Sequence, residues 1–144
     1  MLKALKVFTL MMNFEEIEHT ADKAFRARGR TLAELLENAA RAMASLDKVA
    51  AAGKSFVTRD VELEGADRET LLVNWLNEIL YLEQTHREVY DRFRISQIND
   101  NHLRARLYGR PSANRVSHIK AATFHDLGIK QTPEGFEATV VLDV

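Results

Sequence analysis

The sequence predicts an α+β fold, with two helices packed in one compact domain against a mixed, mostly antiparallel sheet. Three observations lead there. Two segments repeat apolar residues at three- and four-residue steps, the period of a helix with one buried stripe. Several others alternate apolar and polar residues, the period of a strand with one buried face. No repeat, low-complexity tract or Pro/Gly-rich linker divides the 144 residues.

Taken in order, residues 13–18 form a short strand-like segment leading into Glu18-His19-Thr20-Ala21-Asp22. Lys23 to Arg28 alternates around Phe25 and stops at Gly29. Thr31 and Glu34 make a capping box, in which a hydroxyl and a carboxylate satisfy the free N–H groups of a helix start. Leu32, Leu35, Leu36, Ala39, Met43 and Leu46 then form one stripe over about four turns, and Gly53 closes the connection. Phe56 to Glu64 alternates again. Asp67 can cap a second helix, whose wide apolar face of Leu71, Leu72, Trp75, Leu76, Ile79 and Leu80 predicts deep burial. Two hairpins follow, one around Asn99-Asp100-Asn101 and one around Thr132-Pro133-Glu134-Gly135. The second joins a strand over Ile119–Ile129 to one over Phe136–Val144.

Composition narrows the function classes. Twenty basic and 21 acidic residues leave a net charge of −1, so the chain lacks the overall positive field of a protein that grips nucleic acid strongly by itself. There is no cysteine, which removes disulfides, thiolate metal sites and cysteine nucleophiles and fits a reducing, cytoplasmic setting. The first twelve residues, MLKALKVFTLMM, are apolar with two lysines, but the run is too short for a signal sequence and lacks a cleavage site. They read as an extra arm at 1–12 ahead of a domain at 13–144. No stretch approaches the roughly 20 apolar residues of a membrane span.

Catalytic signatures are missing: no glycine-rich phosphate loop, no G-x-S-x-G elbow, and no paired-histidine spacing for zinc. Polar residues in apolar settings remain. The His19–Asp22 loop reads either as a ligand-facing loop or as a turn whose Thr and Asp bond only to nearby backbone. Lys120, on the alternation, shares a face with Ala122 and Phe124 and reads either as a snorkelling edge lysine or as a desolvated ammonium aimed at a phosphate. His125, on the opposite face, reads as a structural histidine before it reads as a ligand. Asp143 is a poor strand former in the run Thr139–Val144. It is either a solvated strand end or, beside the terminal carboxylate of Val144, part of an oxygen-rich site for a hard cation: Ca²⁺, Mg²⁺ or Mn²⁺.

Four of these segments together resemble the archease family: Glu18-His19-Thr20-Ala21-Asp22 with the first helix, Leu72-Val73-Asn74-Trp75-Leu76-Asn77-Glu78, Lys120-Ala121-Ala122-Thr123-Phe124-His125, and Val141-Leu142-Asp143-Val144. They occur in the family's order and span 13–144. The resemblance implies an accessory protein, not an enzyme, that promotes guanylylation and repeated turnover of a GTP-dependent RtcB-type RNA ligase in tRNA splicing and RNA repair. It implies a divalent cation, Ca²⁺ first with Mg²⁺ or Mn²⁺ as alternatives, on Asp22, Asp143 and Val144. It also implies a functional lysine at Lys120, with His19 and His125 in the same motifs. A chaperone-like role toward a tRNA methyltransferase or another RNA-modifying enzyme is the alternative it leaves open. Lys23-Ala24, Phe124 in place of a frequent tyrosine, and the N-terminal arm depart from the family pattern. A stand-alone hydrolase using His19, Asp22 and Asp143 lacks a nucleophile.

Overall fold

The computed structural model describes residues 13–17, 22–47, 49–113 and 118–144. His19, with Glu18, Thr20 and Ala21, lies outside the described residues, as does the arm at 1–12.

Both helices form where the caps place them. Thr31 Oγ1 accepts from the Glu34 N–H at 3.1 Å at the start of α1 (Leu32–Asp47). Asp67 Oδ1 accepts from the Thr70 N–H at 2.8 Å and opens α2 (Arg68–His86), which ends on Arg87 in the left-handed region. The stripe residues Leu35, Leu36, Ala39 and Met43 of α1 meet Leu72, Trp75, Leu76 and Ile79 of α2 in one core. Trp75 ties the helices together: its Nε1–H donates to the Leu36 carbonyl at 2.8 Å, and its ring stands edge-on to Phe93, 6.2 Å between centroids.

The strands divide into two sheets in which every pairing is antiparallel. The smaller contains β3 (Val57–Glu64), β4 (Glu88–Ile98) and β5 (His102–Pro111), with β5 in the centre. The larger contains β1 (Phe14–Ile17), β2 (Lys23–Gly29), β6 (Ala121–Ala122), β7 (Ile129–Thr132) and β8 (Gly135–Asp143). Here β8 is central, with β2 along one edge and β6 and β7 sharing the other. Helix α1 packs against β2 of the larger sheet and β4 of the smaller, and so joins the two layers. Phe25, Ala27, Ala138, Val140 and Leu142 face it. On the opposite face Arg26 and Arg28 of β2 ladder with Glu15 of β1 and Glu137 of β8, at 3.2–3.5 Å. Gly29 is required where α1 begins, because a Cβ there would overlap the Leu35 backbone.

One expected strand is corrected. Ile119–Ile129 is two short strands separated by a turn. Thr123 interrupts the alternation, its hydroxyl donating to the Val141 carbonyl at 2.9 Å and accepting from the His125 N–H at 3.3 Å. Leu127 N–H closes on the Phe124 carbonyl at 3.1 Å, with Asp126 at φ 51°. Local side-chain bonding defeats the ladder here. Lys120, Ala122 and Phe124 therefore share no face: Ala122 is buried, Lys120 and Phe124 are exposed. No helix among the described residues is long and apolar enough to cross a membrane.

Candidate functional site

The larger sheet brings Asp22, Lys120, Asp143 and Val144 to one end. Its register pairs Lys23 with Leu142, so one step further Asp22, the last residue before β2, stands opposite Asp143. Across the other edge Ala121 pairs with Asp143, and the Lys120 N–H donates to the Asp143 carbonyl at 2.7 Å. Asp143 is thus flanked by Asp22 on one side and by the Lys120–Ala121 segment on the other. Asp143 and Lys120 are exposed, and Val144 beyond them is 37 % exposed.

Like charges directly opposite on one sheet face destabilise the pairing. Two carboxylates in that relation form an oxygen-only donor set, which suits a hard cation far better than zinc. Among the described residues no three His, Asp or Glu side chains converge as a ready-made ligand cluster.

His125 is not a core histidine. It is exposed on the turn after β6, 3.2 Å from the Asp126 carboxylate. Phe124, beside it, is 56 % exposed.

Lys120 is held in place by residues that composition did not single out. Asn77, half-buried on α2, clamps both backbone groups of Ala122: its Oδ1 accepts from the Ala122 N–H at 2.8 Å and its Nδ2 donates to the Ala122 carbonyl at 3.2 Å. Asp47, at the end of α1, accepts from the His118 N–H at 3.0 Å. Glu69 accepts from the Ile129 N–H at 3.2 Å. Three helix side chains thus anchor the segment 118–129 against the core. The sequence signal was an asparagine, a weak helix former, inside the apolar run Trp75-Leu76-Asn77.

Below this segment lies a buried pair of acids. Burial, with Asp47 adjacent, pushes the Glu83 carboxyl up to about 8, so it holds its proton at neutral pH. Its Oε2 has no hydrogen-bond partner among the described residues.

The model of the Archease protein family matches residues 14–144. The chain belongs to the archease family. Protein archease of Methanosarcina acetivorans is 37 % identical over 141 residues, covering 91 % of this chain and 95 % of that one. Protein archease of Pyrococcus furiosus is 36 % identical over 144 residues, covering 93 % and 100 %. The solution structure of Methanobacterium thermoautotrophicum protein 1598 superposes with a TM-score of 0.67 at 31 % identity, covering 93 % of this chain and all of that one. A Thermotoga maritima crystal structure, described as an archease and possible chaperone, shares the fold at a TM-score of 0.65 and 22 % identity, covering 90 % and 96 %. The α+β class with two helices on antiparallel strands is thus an archease-family fold.

Proposed function

We propose that this protein activates a GTP-dependent RNA ligase of the RtcB type, promoting its guanylylation and repeated turnover in tRNA splicing and RNA repair. The observation that supports this reading is the cross-strand placement of Asp22 against Asp143, with Lys120 tied to Asp143 through the main chain. Asp22, Asp143 and a Val144 oxygen would hold a divalent cation, Ca²⁺ first and Mg²⁺ or Mn²⁺ as alternatives. Such a cation, when bound, neutralises charge on phosphoryl oxygens. Lys120 adds an exposed ammonium at the same end, suited to a nucleotide phosphate. In this reading the covalent guanylate belongs to the ligase and this protein acts as an accessory.

The test is guanylylation of the cognate ligase with wild-type protein and with Asp22→Ala, Lys120→Ala and Asp143→Ala. Loss of stimulation in these variants is expected, and undiminished stimulation by all three sinks the reading. Titration calorimetry with Ca²⁺ and Mn²⁺ checks the metal separately. A second reading, chaperone-like modulation of a tRNA methyltransferase or another RNA-modifying enzyme, draws on the exposed Phe124 beside this end. It predicts the opposite pattern: carboxylates dispensable, Phe124→Ala damaging.

A further inference from the structure

The smaller sheet turns one face to the core, no described residue covers the other, and that second face sorts charge in a way the net composition hides. Along β5 the outward residues are Arg104, Arg106, Tyr108 and Arg110, alternating with buried Leu103, Ala105, Leu107 and Gly109. The neighbouring strands add Arg92 and Arg94 from β4, and Asp60 and Glu62 from β3.

Two of the arginines are neutralised within the sheet, Arg106 by Asp60 and Arg104 by Glu62, each at 2.7 Å. The others are not. Among the described residues Arg92, Arg94 and Arg110 have no carboxylate partner. Arg94 stands directly across from Arg106, whose charge Asp60 already balances, so Arg94 is the cation of that row left without a carboxylate. A shallow depression of about 570 Å³ opens there, lined by Arg94, Arg104, Arg106 and Tyr108 with Asp60 and Glu62.

The remaining free arginines are stacked on aromatic rings. Arg92 lies over Tyr108 at 4.9 Å, and Arg110 over Phe56 at 4.7 Å. Phe56 is 77 % exposed, the most exposed large apolar side chain of the described residues. Successive rows stand two residues apart along the strands, about 6.8 Å, comparable with the repeat of an extended polynucleotide.

We propose that this face binds a single-stranded nucleic acid: its phosphates sit on Arg92, Arg94 and Arg110 while its unpaired bases stack on Phe56, Tyr108 and the guanidinium planes. Guanidinium groups beside the exposed Phe56 ring and the half-buried Tyr108 ring on an open sheet resemble the stacking platforms that take unpaired bases. A duplex would hide its base faces from Phe56. An acidic peptide would satisfy the arginines but would have no use for the rings. The balanced net charge limits the strength of binding, and three free arginines promise a modest affinity. The proposal stands apart from the Asp22–Asp143 end and does not depend on it.

Fluorescence anisotropy of labelled oligo-uridine RNA and oligo-thymidine DNA, each about 12 nucleotides, with the full chain is the test. Three phosphate contacts on a single strand give a salt slope of roughly −2, so affinity should fall about 20-fold between 50 and 200 mM salt. Arg92→Ala/Arg94→Ala/Arg110→Ala should flatten that slope and weaken binding at 50 mM by a similar factor. Phe56→Ala should weaken it about ten-fold and leave the slope unchanged. Lys130→Ala, exposed on the other sheet, should bind as wild type, and all variants should retain the wild-type circular dichroism. Tighter binding of the RNA would name RNA as the natural strand, and equal binding would place recognition in the phosphate and stacking chemistry both share. No binding of either strand up to about 100 µM at low salt overturns the proposal. So does wild-type binding by the triple variant, or a poly-glutamate peptide held as tightly whether or not Phe56 is present.

Discussion

Replacing Asn77 by alanine should detach β6 from the helix layer while leaving every charged group of the Asp22–Asp143 end in place. The amide of Asn77 satisfies both the N–H and the C=O of Ala122, whose residue is only 4 % exposed. Each lost hydrogen bond removes about 1 kcal/mol, and each backbone group left buried without a partner costs about 1–3 kcal/mol more. Water reaches part of a two-residue edge strand and offsets some of that, which leaves an expected loss of about 2–4 kcal/mol. Asn74, one turn earlier, is an internal control. It makes one side-chain bond, to the Glu64 carbonyl at 2.8 Å, at an exposed position, so Asn74→Ala should cost below about 1 kcal/mol. Urea unfolding gives both values, and amide exchange at Ala122 reports the clamp directly. On the proposed function, ligase stimulation should fall in Asn77→Ala because Lys120, two residues from Ala122, loses its fixed position. If Asn77→Ala is no more destabilising than Asn74→Ala and Ala122 exchange is unchanged, the clamp has no energetic role.

Three further outcomes follow from buried groups. Glu83 favours its protonated form in the fold, so its contribution is complete below the ordinary carboxylate range and is lost as pH rises through about 8. Stability should therefore fall as pH rises from about 4.5 to about 8; Glu83→Gln should flatten that decline in denaturation curves across this range, and a flat wild-type profile would refute it. Arg59 grips Glu88 through two bonds of 2.8 and 2.9 Å, with the Tyr90 hydroxyl donating at 2.7 Å, and holds the Glu88 carboxyl below its usual range. That stability is present above the ordinary carboxylate pKa and disappears on acidification, so Glu88→Gln should cost about 3 kcal/mol at neutral pH and much less at low pH, as read by urea midpoints. Trp75→Phe keeps an aromatic against Phe93 but removes the bond to Leu36; a loss of about 2 kcal/mol in thermal or urea unfolding is expected.

Much of the fold was legible because local chemistry and tertiary need agree. Thr31 and Asp67 cap where their side chains permit nothing better, and the leucine stripes of both helices are the residues that become buried. The Asn99–Asn101 turn closes through the Asn99 side chain, as its residue types demand. The failure at Ile119–Ile129 had a local cause too. Thr123 offered the backbone a competing partner, and alternation alone does not reveal which partner wins. The division into two sheets was not legible, since nothing local says that β8 pairs with β2 and β6 while β5 pairs with β3 and β4. The candidate site was half legible. Asp22, Lys120 and Asp143 stood out by type and through the family resemblance, but their approach depends on long-range register. Asn77 stood in a quoted motif without its clamping role being legible, and Asp47 and Glu69 were hidden, because a side chain that bonds to distant backbone leaves only a weak mark on its own helix.

The two sheets also differ in when they can exist. The smaller one closes within residues 57–111, so its strands pair soon after they are made. The larger one joins β2 to β8, linking for instance Arg26 to Thr139 across 113 positions. During synthesis its central strand arrives last, and until then β2 has no partner on that edge and α1 no complete floor. Asp22 meets Asp143 only when that final strand inserts. On the proposed function, a partner that recognises Asp22 opposite Asp143 would therefore engage finished molecules and pass over nascent or partly unfolded ones.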